Sequence, residues 1–111
     1  MNWNKLTEST QIEELKVLSK TKPVLIFKHS TRCAISSMSL DRLLRNWKPE
    51  DRDRVEPFYL DLIAFRGLSD LIEREFGVPH ESPQVIIIRD GKAIYDESHY
   101  GISYPAIMAQ V

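Results

Sequence analysis

With 111 residues, 42% of them apolar and 28% charged, the chain has the makings of one folded domain spanning residues 1–111 and is too apolar to remain disordered. Acidic and basic residues nearly cancel, for a formal net charge of −1, so the basic surplus that accompanies a nucleic-acid partner is absent. The longest apolar run, Val85 to Ile88, is strand-sized, and the opening MNWNKLTEST lacks the basic-then-apolar pattern of a secretory leader; no membrane partner and a cytoplasmic location are expected.

Residues 9–20 read as a helix, because Ile12, Leu15 and Leu18 recur every three positions among Glu13, Glu14 and Lys16. Thr10 followed by Glu13 has the spacing of a capping box. Pro23 opens Val24-Leu25-Ile26-Phe27, a continuous apolar run suited to a strand covered on both faces, and His29-Ser30-Thr31 closes it. Residues 34–47 follow as a helix with a stripe of Ile35, Met38, Leu40, Leu43, Leu44 and Trp47, in which Met38 and Trp47 read as core. Pro49 blocks its continuation. The run Arg42 to Arg54 mixes five basic residues with Asp41, Glu50, Asp51 and Asp53 around it, the composition of a solvated surface.

Val55 to Leu60 reads as a second strand with Phe58 and Leu60 on one face. Leu68, Leu71, Ile72 and Phe76 mark a third helix, with Gly77 at its C-cap. Gln84 to Arg89 is another apolar strand, and Asp90-Gly91 is the dipeptide of a tight hairpin turn leading to Lys92–Asp96. Tyr104 to Val111 is the last helix, and a short strand near Trp3 to Leu6 can precede the first. The alternation predicts a parallel central pair, a late antiparallel hairpin and helices on both faces of a small mixed sheet.

The chain has one cysteine, Cys33. An internal disulfide is therefore impossible, and a site needing several thiolates is excluded within one chain. His29, His80 and His99 are scattered without ligand spacing, so no metal is expected. A lone cysteine is more often a small buried hydrophobe than a nucleophile. The context of Cys33 argues against that base rate. It falls between a buried strand and a helix, the place where open α/β sheets put their ligands. Unpaired first-turn amides and the helix dipole there favour a thiolate over a thiol. Arg32 is either a nearby fixed positive charge or a solvent-facing arginine. Ser36, three residues on, shares the helix face; it is either a hydrogen-bond donor to the Cys33 sulfur or an ordinary first-turn serine.

Phe27-Lys28-His29-Ser30-Thr31-Arg32-Cys33-Ala34-Ile35-Ser36, with His80-Glu81-Ser82-Pro83-Gln84 downstream, resembles the YtxJ-like monothiol bacilliredoxins, also called bacilliredoxin C, of the thioredoxin-like superfamily. The resemblance runs from the first helix to the late hairpin. It implies an α/β, thioredoxin-like fold with a mixed central sheet of about four to five strands flanked by helices on both faces. It implies a thiol-disulfide oxidoreductase in which Cys33 removes bacillithiol from mixed disulfides on client proteins. No bound cofactor is implied; bacillithiol or another low-molecular-weight thiol is the cosubstrate, and S-thiolated proteins are the partners. Nothing in the sequence demands more than a monomer. Arg32 and Ser36 are thus the candidate thiolate-stabilising residues, and Thr31, Ser82 and Pro83 the candidate substrate-binding ones, the last two by the resemblance. The Ser82–Pro83 bond is expected to be cis, with the Ser82 backbone free to pair with a bound disulfide. Ala34 stands where the family more often has proline; proline there would stiffen the first helical turn, and alanine tolerates the same geometry. His29 is expected in a structural or surface role, and His80 at the border of the substrate groove.

The alternative of a different class is a thioredoxin-like binding or thiol-sensing module without turnover. A cluster-bridging monothiol glutaredoxin typically carries Gly-Phe where this chain has Ala34-Ile35. A one-cysteine peroxidase needs a peroxide site that Arg32 alone does not supply.

Overall fold

The computed structural model describes residues 3–111. Among these, strands β1 (Asn4–Lys5), β2 (Val24–His29), β3 (Glu56–Asp61), β4 (Gln84–Arg89) and β5 (Lys92–Ser98) alternate with helices α1 (Thr10–Leu18), α2 (Ala34–Asn46), α3 (Arg66–Phe76) and α4 (Tyr104–Met108). They form one sheet in the order β1-β3-β2-β4-β5. β3 runs parallel to both β1 and β2, while β4 runs antiparallel to β2 and β5. This is the mixed sheet with helices on both faces that the alternation predicts.

Two apolar clusters account for the layering. On one face Ile12 and Leu15 of α1 and Leu68 and Ile72 of α3 meet Ile26, Phe58, Leu60, Ile86 and Ile88. On the other, Leu43 of α2 and Ile107 and Met108 of α4 meet Leu25, Phe27, Val85 and Ile87. Successive residues of a strand point to opposite faces, so β2 and β4 feed both clusters. Burying each such aliphatic side chain stabilises the fold by about 1.5–3 kcal/mol.

The punctuation behaves as its chemistry requires. Gly77 ends α3 in the left-handed region at φ 69°. Asp90 and Gly91 both have positive φ, 53° and 75°, as a tight turn between β4 and β5 needs.

Three local expectations are corrected. Thr10 is already helical, too late to cap, and no capping box with Glu13 forms. Instead Gln11 Oε1 accepts hydrogen bonds from the Thr7 and Glu8 amides at 2.8 and 2.9 Å. Met38 is half-exposed rather than core, because α2 lies on the sheet through Ser36, Ser39 and Leu43. Small side chains at 36 and 39 let the helix approach closely, which turns Met38 outward. Trp47 is partly buried against the second cluster, edge-on to Tyr104. Finally, β2 does not stop at Phe27: Lys28 pairs with Leu60 and Gln84, and His29 with Asp61. The apolar run is shorter than the strand it starts.

Candidate active site

The extension of β2 places two polar side chains inside the protein. The alternation that sends Leu25 and Phe27 toward α2 sends His29 there too, and Lys28 goes with Ile26 toward α3. Lys28 is fully buried and His29 nearly so.

From His29 the chain turns through Ser30, Thr31 and Arg32 to Cys33. The Cys33 amide donates to the Ser30 carbonyl at 3.1 Å, which folds this turn back on the strand end. Cys33 is the N-cap of α2, with an extended backbone (φ −111°, ψ 118°), and its carbonyl accepts from the Ser37 amide at 3.1 Å. The amides of Ala34, Ile35 and Ser36 therefore precede the first intrahelical bond. Cys33 is a free thiol of intermediate exposure. It is neither packed into the apolar interior nor fully displayed. Thr31 and Arg32 beside it are exposed.

The Ser36 hydroxyl has a specific set of partners. It lies 2.6 Å from His29 Nδ1 and accepts from the Ser30 amide at 3.1 Å. All three groups are buried. Burial pushes the His29 imidazole below its ordinary pKa, against the opposing charges of Asp61 and Asp41. A neutral His29 with its proton on Nε2 accepts the Ser36 O–H at Nδ1. The oxygen then keeps its lone pairs for Ser30. This bracket ties the first turn of α2 to the end of β2 and encloses the turn that carries Cys33. The Ser36 hydroxyl makes no hydrogen bond to the Cys33 sulfur among the described residues.

The other wall is the segment before β4. The Ser82–Pro83 bond is cis, as the resemblance implied. Beyond the last β2–β4 pair, Lys28 with Gln84, the ladder sets Pro83 beside His29 and so beside the turn into Cys33. The side chain of Gln84 holds this segment at both ends: Nε2 donates to the Pro79 carbonyl at 3.0 Å, and Oε1 accepts from the Glu81 amide at 3.4 Å. Ser82 Oγ is buried and has no protein partner among the described residues.

The sequence reading missed a third wall. His99–Gly101 forms a 3₁₀ turn after β5. The His99 amide donates to the Pro83 carbonyl at 3.0 Å, its carbonyl accepts from Ser39 Oγ at 3.3 Å, and its ring lies 3.5 Å from the Glu81 carboxylate. The turn thus bridges the Pro83 segment and α2, with Tyr100 exposed upon it. No local motif marks it. Only the register of β5 against β4, which opposes Ser98 to Gln84, brings it there.

His80, expected at the groove border, is exposed as a residue but anchored from within. Its Nδ1 lies 3.4 Å from Lys28 Nζ and 3.3 Å from Ser69 Oγ, and its amide donates to the Glu73 carboxylate. Burial pushes Lys28 down to about 8, with Glu73 and Asp70 opposing. Burial, then the Lys28 charge, pushes His80 down as well, against Glu73, Asp70 and Glu81.

A lone cysteine at the N-cap of the helix that follows β2, with a cis proline at the start of the neighbouring β4 in a mixed sheet, defines a thioredoxin-fold thiol protein. Solved structures agree. One, described as having a thioredoxin fold with a provisional oxidoreductase assignment, is 29% identical with a TM-score of 0.80, covering 96% of this chain and 90% of that one. The thioredoxin of Malassezia sympodialis is 16% identical at TM-score 0.74, covering 98% and 87%. That of Fasciola hepatica is 13% identical at 0.73, covering 96% and 94%. The chain belongs to the monothiol bacilliredoxin BrxC family, whose model matches residues 4–107. That membership, with the fold, gives it a thiol redox role. No helix among the described residues is long and apolar enough to cross a membrane.

Proposed function

We propose that the protein removes bacillithiol, or a similar low-molecular-weight thiol, from mixed disulfides on cytoplasmic proteins, with Cys33 as nucleophile. The observation that carries this reading is the placement of the one cysteine, partly exposed, at the N-cap of α2.

The thiolate of Cys33 attacks the small thiol's sulfur. A sulfur–sulfur bond forms there, the bond to the client breaks, and the client thiolate leaves and takes up a proton. A second small thiol then attacks the mixed disulfide, forms a new disulfide and releases Cys33 as thiolate. Cys33 ends each cycle in the state in which it began. With no second cysteine in the chain, resolution comes from outside.

In this reading the free amides of the first turn of α2 stabilise the attacking anion, and Arg32 adds positive charge at the site. Ser36 acts by holding the turn through His29 and Ser30. Thr31, the backbone and hydroxyl of Ser82, and Pro83 line the approach of the disulfide. The protein needs no resident cofactor and acts as a monomer.

The test is transfer from a bacillithiolated client peptide, followed by the appearance of free peptide thiol. The wild type releases the peptide and Cys33→Ser does not. Release by Cys33→Ser at the wild-type rate contradicts the assignment. A wild type that binds such peptides without releasing thiol is the non-catalytic binding module instead.

A further inference from the structure

A fully buried lysine is rare in a domain of this size and needs a reason. Lys28 has none in the exchange chemistry, since its side chain leaves β2 on the sheet face away from α2 and Cys33. What it touches is the segment leading to Pro83. Its Nζ lies 3.4 Å from Nδ1 of His80, 52 residues away in sequence. Its antiparallel partner across the sheet, Gln84, clasps Pro79 and Glu81 of the same segment. From α3, Ser69 Oγ lies 3.3 Å from the same His80 ring nitrogen and the Glu73 carboxylate accepts from the His80 amide. One pair of facing residues on adjacent strands thus grips the five residues 79–83 from inside. A buried ammonium left without an acceptor costs far more than an apolar side chain of similar length. His80 Nδ1 is the acceptor that Lys28 is given.

We propose that Lys28 is a positioning residue: by gripping His80 it fixes the Pro79–Pro83 segment, and so sets how tightly the groove beside Cys33 holds the mixed disulfide without setting the reactivity of Cys33. The inference rests on the exchange function proposed above and deepens it. It separates the two walls of the site. The Cys33 turn is held by Ser36 and His29, the substrate wall by Lys28 and His80.

Lys28→Met keeps the length of the side chain and removes the charge, and His80→Ala removes the acceptor and leaves the buried ammonium unpaired; circular dichroism checks that each variant is folded, and Lys28→Met, which leaves no charge behind, carries the test if His80→Ala is not. Three readouts separate the outcomes. With a bacillithiolated peptide, both variants raise KM about tenfold and leave kcat within about twofold, the pattern of lost substrate binding. Alkylation of Cys33 by iodoacetamide proceeds within about twofold of the wild-type rate. Amide hydrogen exchange at His80 and Glu81 in Lys28→Met speeds up about tenfold as the segment loosens. His80→Gln, whose amide oxygen can accept from Lys28, recovers most of the KM loss; a purely structural role predicts no such rescue.

An unchanged KM in both variants, or a fall in Cys33 alkylation as large as the rise in KM, overturns the proposal. A wild type inactive toward the peptide fails the exchange function instead. The hydrogen-exchange comparison then decides the grip on its own, and unchanged exchange in Lys28→Met overturns it.

Discussion

Lys28 and His29 are neighbours in sequence and opposites in structure. Both are buried polar residues at the end of the same central strand. One points toward α3 and reaches the Pro83 segment; the other points toward α2 and reaches the Cys33 turn. His29 is satisfied by a short bond to a neutral hydroxyl and stays neutral. Lys28 brings a charge inside and, among the described residues, meets one imidazole nitrogen at longer range. The same strand end therefore carries a tight, uncharged bracket on the side of the Cys33 turn and a looser, charged one on the side of the Pro79–Pro83 segment. The lesson concerns division of labour: the Cys33 turn is held by a short bond between neutral groups, while the Pro79–Pro83 segment is held by a longer contact to a buried cation, and in the proposed function these are the nucleophile's and the substrate's sides.

The largest effect that probes this difference falls on the tight side. Ser36→Ala leaves the buried Ser30 amide and His29 Nδ1 unpaired, so it should destabilise the fold by about 1–3 kcal/mol in denaturant titration. It should also slow Cys33 alkylation several-fold. Unchanged stability would remove the bracket from the account. Next comes the charged side. Lys28→Met replaces a buried cation with an apolar chain and should stabilise the fold by about 1–3 kcal/mol at neutral pH.

Its pH dependence fixes the sign. Lys28 is lowered to about 8 in the fold from an ordinary 10.5, against the pull of Glu73 and Asp70. Between those values the unfolded chain binds more protons than the folded one, so the wild type gains stability as pH rises through that window. The gain of Lys28→Met over wild type should shrink correspondingly. A gap that stays constant from pH 7 to 10.5 would show that the charge is not what sets the two apart.

A smaller effect lies at the acid end. His29 and His80 are both lowered below 6.5 by burial. Each favours the fold while neutral, and stability should fall as pH drops below 6.5 toward their folded values. Replacing His29 by Gln, which can keep a bond to Ser36, should flatten part of that slope. The smallest effect is a coupling near zero. Lys28→Met and Ser36→Ala act on opposite faces and share no partner, so their stability changes should add within about 0.5 kcal/mol. A larger coupling would join the two walls into one network.

Much of this architecture is legible in the sequence because it rests on local rules. Val24 to Phe27 and Val85 to Ile88 read as buried strands by their continuous apolarity, and Gly77 and Asp90-Gly91 mark the ends of α3 and β4 by backbone freedom. The position of Cys33 follows from the same pattern. Lys28 and His29 are not legible as strand, since a lysine and a histidine after an apolar run look like its end; only pairing to Leu60, Asp61 and Gln84 on both sides keeps them in the sheet. Met38 misleads because hydropathy cannot tell that a helix face of serines lies closest to the sheet. The Ser36–His29 bond and the His99 turn join residues far apart or hidden from any motif, and depend on register.

The central claim is that Cys33 is the exchanging sulfur, and intact-mass measurement tests it most directly. The reduced, folded protein is incubated with bacillithiol disulfide and weighed, then treated with a second thiol and weighed again, while a digest of a parallel sample locates the adduct. The account predicts a single bacillithiol adduct, mapped to Cys33 and removed by that second thiol. A folded protein whose Cys33 stays unmodified under those conditions, while still open to iodoacetamide, would contradict it.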